Sequence, residues 1–307
     1  MLEMYAAIWR VSGGRQMVLI VLSLAIAALA AVPLNFQKDI INALTAADIA
    51  PSDLVWLCAG MMSAILLSLG LKWVMGYRSG VLGEDIIRLL RRRILLGAVE
   101  AGGALKVGTK STMISAEAEE LGKFAGNAMS QPVMQIGTLI SVVAFIATTQ
   151  PGLGMIAVCM IVPQIIIVVF TQQYVNRFVA RRVQILRGAT DHMTHDDLAG
   201  IMDDVNREFD DIYETRRRMF LWKLTTKFAV SAINGVGSVS VLLLGGWFVI
   251  EGKTDVGTVV AATIGLGRLQ GPTAFIISFY RLVSSTRVKY ELLRDAGMTL
   301  PPQTAAA

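Results

Sequence analysis

Six apolar runs dominate this sequence, each close to the roughly 20 residues, or more, that a helix needs to cross the hydrocarbon core of a bilayer. They occupy residues 17–36, 54–71, 128–148, 153–171, 229–250 and about 256–283. Chain buried in lipid must satisfy its own backbone hydrogen bonds, and runs of this length do so as helices. The expectation is therefore an all-α, polytopic membrane protein with six transmembrane helices. Composition agrees. Of the 307 residues 54% are hydrophobic and 17% charged, whereas a soluble domain is about 45–50% apolar and about 25% charged.

The connections alternate short, long, short, long, short. The long ones, 72–127 and 172–228, carry 9 and 10 Lys/Arg, and the short ones, 37–53, 149–152 and 251–255, carry 1, 0 and 1. Basic residues are retained on the cytoplasmic side, which places both long connections and both termini there. The net charge of +5 follows from that asymmetry without any acidic partner. Arg10, Arg15 and the Ala28-Leu29-Ala30 triplet imitate a signal peptide with its cleavage site, but the run continues past Ala30 to Leu34 behind a long leader, which favours a retained span. Cys58 and Cys159 lie inside apolar runs without CxxC spacing and read as small apolar residues.

Structureless connections of more than 50 residues are unusual, and these two carry helical periodicity. In 84–97, EDIIRLLRRRILLG, Ile86, Ile87, Leu90, Ile94 and Gly97 form one stripe, and Glu84, Asp85, Arg88, Arg91 and Arg92 the opposite face. In 203–222, Val205, Phe209, Ile212, Tyr213, Met219 and Phe220 recur at three- and four-residue steps, facing Asp203, Asp204, Arg207, Asp210, Asp211, Glu214, Arg217 and Arg218. Mixed charge on the polar faces suits a solvated stalk better than a helix lying on the membrane surface. Neither stretch is separated from its span by a strong breaker, so the membrane helices are expected to run on as two long helical cytoplasmic extensions. About 25 residues at about 1.5 Å each would reach roughly 35–40 Å. Gly97, Gly102, Gly103 and Gly108 turn the first excursion, and glycines between 188 and 200 the second.

Candidate chemistry is sparse. Residues 102–112, GGALKVGTKST, imitate a phosphate-binding loop, G-x-x-x-x-G-K-[ST]. Gly103 and Gly108 have the right separation, but Thr109 intrudes before Lys110 and Ser111, and the segment upstream is an amphipathic helix rather than a strand. Val11-Ser12-Gly13-Gly14-Arg15-Gln16 imitates the signature loop of transport ATPases with an Arg inserted, at the start of a span. Neither supports ATP hydrolysis by this chain, and no catalytic nucleophile set is visible. His192, His195 and Asp196 share a helical face, which is a weak metal spacing in a polar segment. The Arg91–Arg93 and Arg216–Arg218 clusters read as stalk charge rather than a nucleic-acid site. The most informative single residue is Arg268, near the middle of the sixth run among Gly265, Gly267, Gln270, Gly271 and Pro272. Charge at that depth faces a bundle interior or a water-filled cavity. It either contacts an anionic or polar substrate or pairs with a neighbouring helix. Asn127, Gln131, Gln135 and Asn234 are further polar residues at or inside the runs, each suited to bonding between helices.

The ensemble resembles the membrane domain of type I ABC exporters. Residues 245–294 carry the most specific part: Gly245-Gly246 at the end of run five, a short outer turn with Thr254-Asp255-Val256-Gly257, then Gly271-Pro272, and Arg287-Val288 with Leu292-Leu293 in the helix that follows. Thr286 stands near where the family often has Ala. The resemblance implies an N-terminal elbow helix in 1–16, a six-helix domain over 17–294 and a linker or tail in 295–307. It implies the permease subunit of an ATP-driven exporter, forming half of a dimeric pathway in a bacterial inner (plasma) membrane. This chain would bind no cofactor; ATP and Mg²⁺ would sit on a partner nucleotide-binding subunit. Coupling helices at the excursion tips would touch that partner through Lys106, Gly108, Lys110, Ser111, His195, Asp196 and Asp197. The translocation cavity would be lined by Arg268, Gln270, Asn234 and Gln135. An ATP-independent channel or secondary transporter, and a non-transporting scaffold, are the alternatives; the substrate is not legible.

Overall fold

The structure, a computed structural model, describes residues 2–46, 49–100, 117–193 and 202–295. No strand occurs among the described residues. The helices are α1 (Leu2–Leu29), α2 (Val32–Ala46), α3 (Pro51–Glu100), α4 (Ala118–Asn127), α5 (Ser130–Thr149), α6 (Pro151–Met193), α7 (Met202–Ile250) and α8 (Val256–Asp295). Among the described residues five stretches are long and apolar enough to cross a membrane: Leu2–Ala46, Pro51–Leu96, Ala118–Thr149, Pro151–Thr171 and Phe209–Ile250. The sixth run, in α8, is not among them; Arg268 and Gln270 interrupt it near its middle.

The expected continuity of spans and extensions is present. Helix α3 runs unbroken for 50 residues from the second apolar run to Glu100, and α6 and α7 run for 43 and 49 residues. Two interruptions are not evident from hydropathy. Helix α1 bends at Ser12 (φ −134°, ψ 16°), whose hydroxyl donates back to the Ile8 carbonyl at 2.8 Å. Such back-bonding competes with the helix ladder and bends helices. The bend sets residues 2–11 off as an elbow from the rest of α1. The first apolar run then breaks at Ala30-Ala31, before α2. Pro33 has no N–H to return to the Leu29 carbonyl, and its ring crowds that carbonyl, so one continuous helix is not available.

The chain forms two compact units. The first comprises Met1–Gly154 with Leu244–Ala307. Its core joins the elbow (Met4, Ile8) to α3 (Leu82, Ile86, Leu90, Ile94), α4 (Leu121, Phe124, Ala125) and the far part of α8 (Val283, Tyr290). The stripe anticipated in 84–97 is thus the buried face of α3, with Ile86, Ile87, Leu90 and Ile94 at most 2% exposed. Where water is the alternative, each such side chain stabilises by roughly 1.5–3 kcal/mol. Tyr5 meets Phe124 edge-on, with ring centroids 6.0 Å apart. Ion pairs between Glu3 and Arg294, at 2.8 Å, and between Glu120 and Lys289 fasten α8 to the elbow and α4. Thr286, in the slot where the resembling family often has Ala, is 1% exposed, so a small side chain is required there.

Helices α3 and α4 approach with almost no side chain between them. A Cβ on Gly126 would lie 2.4 Å from the Ser79 carbonyl oxygen. The small residues let the backbones meet, and Ser79 Oγ lies 3.1 Å from the Gly126 carbonyl and 2.6 Å from Asn127 Oδ1.

The second unit comprises Met155–Leu243, which takes in most of α6 and α7. Tyr174 stacks on Trp222 at 5.1 Å with an interplanar angle of 3°, and Arg177 lies over the Tyr174 ring. Here the anticipated stripe of 203–222 is largely uncovered. Met219 is buried and Ile212 half-buried, whereas Phe209, Tyr213 and Phe220 are 44%, 66% and 52% exposed. Val205 has no described side chain. Cys58 on α3 and Cys159 on α6 are both exposed.

Candidate functional site

The most informative site lies within the first unit, where α1, α2, α3, α5 and α8 line a half-open cavity of about 400 Å³. Each wall is one face of a helix. Ile65, Ser68, Leu69 and Lys72 follow the i, i+3, i+4, i+7 spacing that puts residues on one side of α3. Met134, Gln135, Thr138 and Val142 form the α5 wall, and Arg268 and Pro272, one turn apart, the α8 wall. Ile26, Leu29, Ala30 and Pro33 close it at the break in the first apolar run.

Two gaps in the helical hydrogen-bond ladder therefore lie at one cavity. The first is the Ala30-Ala31 break. The second is in α8, where Pro272 supplies no N–H for the Arg268 carbonyl one turn earlier. Arg268 is the link between them: its Nη1 donates to the Ala30 carbonyl at 3.4 Å, 238 residues away in sequence. That carbonyl lies just past the end of α1, and a cation at a helix C-terminus is favoured by the helix dipole. The contact uses one of the five guanidinium N–H donors.

The sequence-derived cavity residues separate on inspection. Arg268 and Gln135 line the same cavity. Gln270 is two residues from Arg268, which on a helix points elsewhere; it is exposed and does not line this cavity. Asn234 belongs to the second unit, where its Oδ1 accepts from Gln164 Nε2 at 2.8 Å, a bond between α6 and α7. Lys106, Gly108, Lys110, Ser111, His195, Asp196 and Asp197 lie outside the described residues. The helix preceding the phosphate-loop imitation is α3, which continues through Glu100. In the second imitation, Gln16 is buried and donates to the Ala125 carbonyl at 2.8 Å, so it is a packing residue.

Lys72, Ser68 and Thr138 were not anticipated as lining residues. Lys72 follows the second apolar run directly and reads as the first basic residue of the excursion; only its seven-residue offset from Ile65 signals that it shares a face with Ser68.

The position of Arg268 along the bundle is set by a clamp at the N-terminal end of α8. Asp255 caps the helix: its carboxylate accepts from the Thr258 backbone N–H at 2.7 Å and from the Thr258 hydroxyl at 2.9 Å. Partial burial pushes the Asp255 pKa up, but the hydrogen bonds from Thr258 and Asn42 and the nearby Lys38 outweigh it, so the net shift is downward. Next to the cap, the Gly257 N–H donates to Asn42 Oδ1 at 2.7 Å, and a Cβ on Gly257 would lie 2.2 Å from the Lys38 carbonyl oxygen. The Thr254-Asp255-Val256-Gly257 element is thus a helix cap followed by a close approach of α8 to α2.

A family model of the ABC transporter transmembrane region matches residues 16–273, which include the Ala30-Ala31 break, Pro272 and the clamp. Among curated proteins no match was found.

Proposed function

The chain belongs to the ABC transporter transmembrane-region family and is an integral, multi-pass membrane subunit of such a transporter; on that premise we propose that it is the permease of an ATP-driven exporter. It contributes six spans to a dimeric pathway, with both termini cytoplasmic, and couples to ATPase subunits or domains that carry ATP and Mg²⁺. The observation that carries this reading is the continuity of α3, in which a single 50-residue helix spans from the second apolar run to the segment expected to form the first coupling tip. A rigid helix of that length converts a displacement at its tip into a displacement at the cavity, because Lys72 and the stripe from Ile86 to Ile94 sit on the same rod. Closure of the ATPases would then switch the cavity between inward- and outward-facing states as a two-state change.

The test is substitution at the first tip. With the chain reconstituted beside its ATPase, Lys110→Glu or Gly108→Pro is expected to abolish the coupling of transport to ATP hydrolysis while leaving membrane insertion intact. Unchanged coupling in both variants would sink the assignment.

A further inference from the structure

The cavity at Arg268 is basic and otherwise mostly apolar, and its two cations, both exposed on the chain, lack counter-charges among the described residues. Arg268 makes one hydrogen bond, long at 3.4 Å, to a backbone carbonyl. Lys72 makes no hydrogen bond or ion pair with any described residue, and none of the lining residues is an Asp or Glu. Elsewhere in the same unit some basic side chains find carboxylates: Arg15 pairs with Asp85, Lys289 with Glu120 and Arg294 with Glu3. A charge within a membrane span is costly unless paired. Four guanidinium donors and three ammonium donors are left without a partner among the described residues.

We infer that the cavity takes an anionic amphiphile, with a carboxylate, phosphate or sulfate head between Arg268 and Lys72 and an apolar body against Ile26, Leu69 and Met134. The inference rests on the permease reading for the word substrate, and adds its chemical class. A head bearing two or more acceptor oxygens satisfies both cations at once, and Arg recognises such planar or tetrahedral anions bidentately. Gln135 adds an amide able to donate to the same head. A cationic or neutral ligand would leave both charges unpaired in the site. At about 400 Å³ the cavity lies in the size range of small-molecule sites, about 300–1,000 Å³. It accommodates a head and a short apolar segment.

The experiment is equilibrium binding of a matched pair of fluorescent probes, dansyl-undecanoate and its uncharged primary amide, to the full chain in phosphatidylcholine nanodiscs. A charge-assisted hydrogen bond contributes about 1.5–3 kcal/mol, so the carboxylate is expected to bind about tenfold or more tighter than the amide. Arg268→Gln and Lys72→Gln should each erase most of that preference and leave amide binding where it was, and Arg268→Lys should retain part of it. Repeating the titration with phosphatidylglycerol in the disc separates the two sources of such a head. Displacement of the probe assigns a bilayer lipid, and persistence assigns a free amphiphile. Equal affinity for the two probes overturns the inference. So does a loss of both probes together in Arg268→Gln and Lys72→Gln, which would make these cations structural. The titration needs no ATPase, so it fails independently of the exporter reading. A chain that prefers the anion yet never couples to an ATPase overturns only the latter.

Discussion

Replacing Gly126 by alanine isolates the contact that sets the spacing of α3 and α4. The added Cβ would lie 2.4 Å from the Ser79 carbonyl oxygen, 3.1 Å from the Gly83 nitrogen and 3.2 Å from the Gly83 Cα. All three are backbone atoms, so no side chain can rotate aside. A comfortable carbon–oxygen contact is about 3.3–3.6 Å, and the helices must therefore part by about 1 Å. Parting them stretches the 3.1 Å approach of Ser79 Oγ to the Gly126 carbonyl. It also opens the cluster in which Leu82, Ile86, Leu121 and Phe124 are buried. Overpacking of this kind costs about 1–3 kcal/mol. Part of that is masked, because alanine is the better helix former by up to about 1 kcal/mol. Gly80 removes the ambiguity. It neighbours Ser79 on α3, and a Cβ there meets nothing within 4 Å. The propensity gain is common to both substitutions, so their difference is the packing cost alone. For the purified chain in detergent, followed by tryptophan fluorescence on heating, Gly126→Ala should unfold below Gly80→Ala. The gap should be about 2–4 °C for each kcal/mol. Equal midpoints, or a lower one for Gly80→Ala, would refute the claim that backbone contact fixes this interface.

Two further substitutions examine α8. Asp255→Ala removes the helix cap and should cost about 1 kcal/mol at neutral pH. Because the folded-state pKa of Asp255 is held below its usual 3.8, the carboxylate's contribution is complete above that value and is lost as pH falls through the lower, folded-state value. The stability gap between wild type and Asp255→Ala should therefore close at acid pH in thermal melts; a gap that widens there contradicts the assignment. Arg268→Leu removes a mid-span charge that costs about 2.5–3.5 kcal/mol at a helix centre and has a single long hydrogen bond as return. It should raise the melting midpoint in nanodiscs, and a lower midpoint would show that Arg268 holds the bundle together.

What the sequence revealed, and what it hid, follows one physical distinction. Hydrophobic periodicity states that a helix has a face to bury, but not what buries it. The stripe Ile86–Ile94 and the stripe Phe209–Phe220 have the same spacing. The first is covered because the elbow and α4 lie against it, while three aromatic members of the second remain exposed on the chain. Polar residues in apolar runs behave alike: Asn234 and Gln135 both demand a partner, and only the fold tells that Asn234 finds Gln164 whereas Gln135 faces a cavity. The continuity of spans into extensions was legible, since no proline or glycine pair interrupts 54–96 strongly enough to stop α3. The break at Ala30-Ala31 was written in Pro33, but hydropathy averages over a single proline in an apolar run. For Arg268 the two sequence-based readings, internal partner or cavity, turn out to be compatible, because one donor meets Ala30 and the side chain still lines the cavity.

That compatibility explains why α8 is built as it is. Its apolar run is too interrupted to be a strong span on composition, so the surrounding protein must hold it at a fixed depth. Both of its ends are held. At one end the Asp255 cap, the Gly257–Asn42 hydrogen bond and a glycine with no room for a Cβ join it to α2. At the other, Thr286 and Tyr290 are buried, and Lys289 and Arg294 reach Glu120 and Glu3. A helix fastened at both ends keeps Arg268 in place at the cavity, because sliding along its axis would break several contacts at once. Pro272 adds the local give, since the Arg268 carbonyl lacks its partner one turn on. The cavity's charge is therefore maintained by residues that do not line it, and α8 spends its stability where a bound anion would return it.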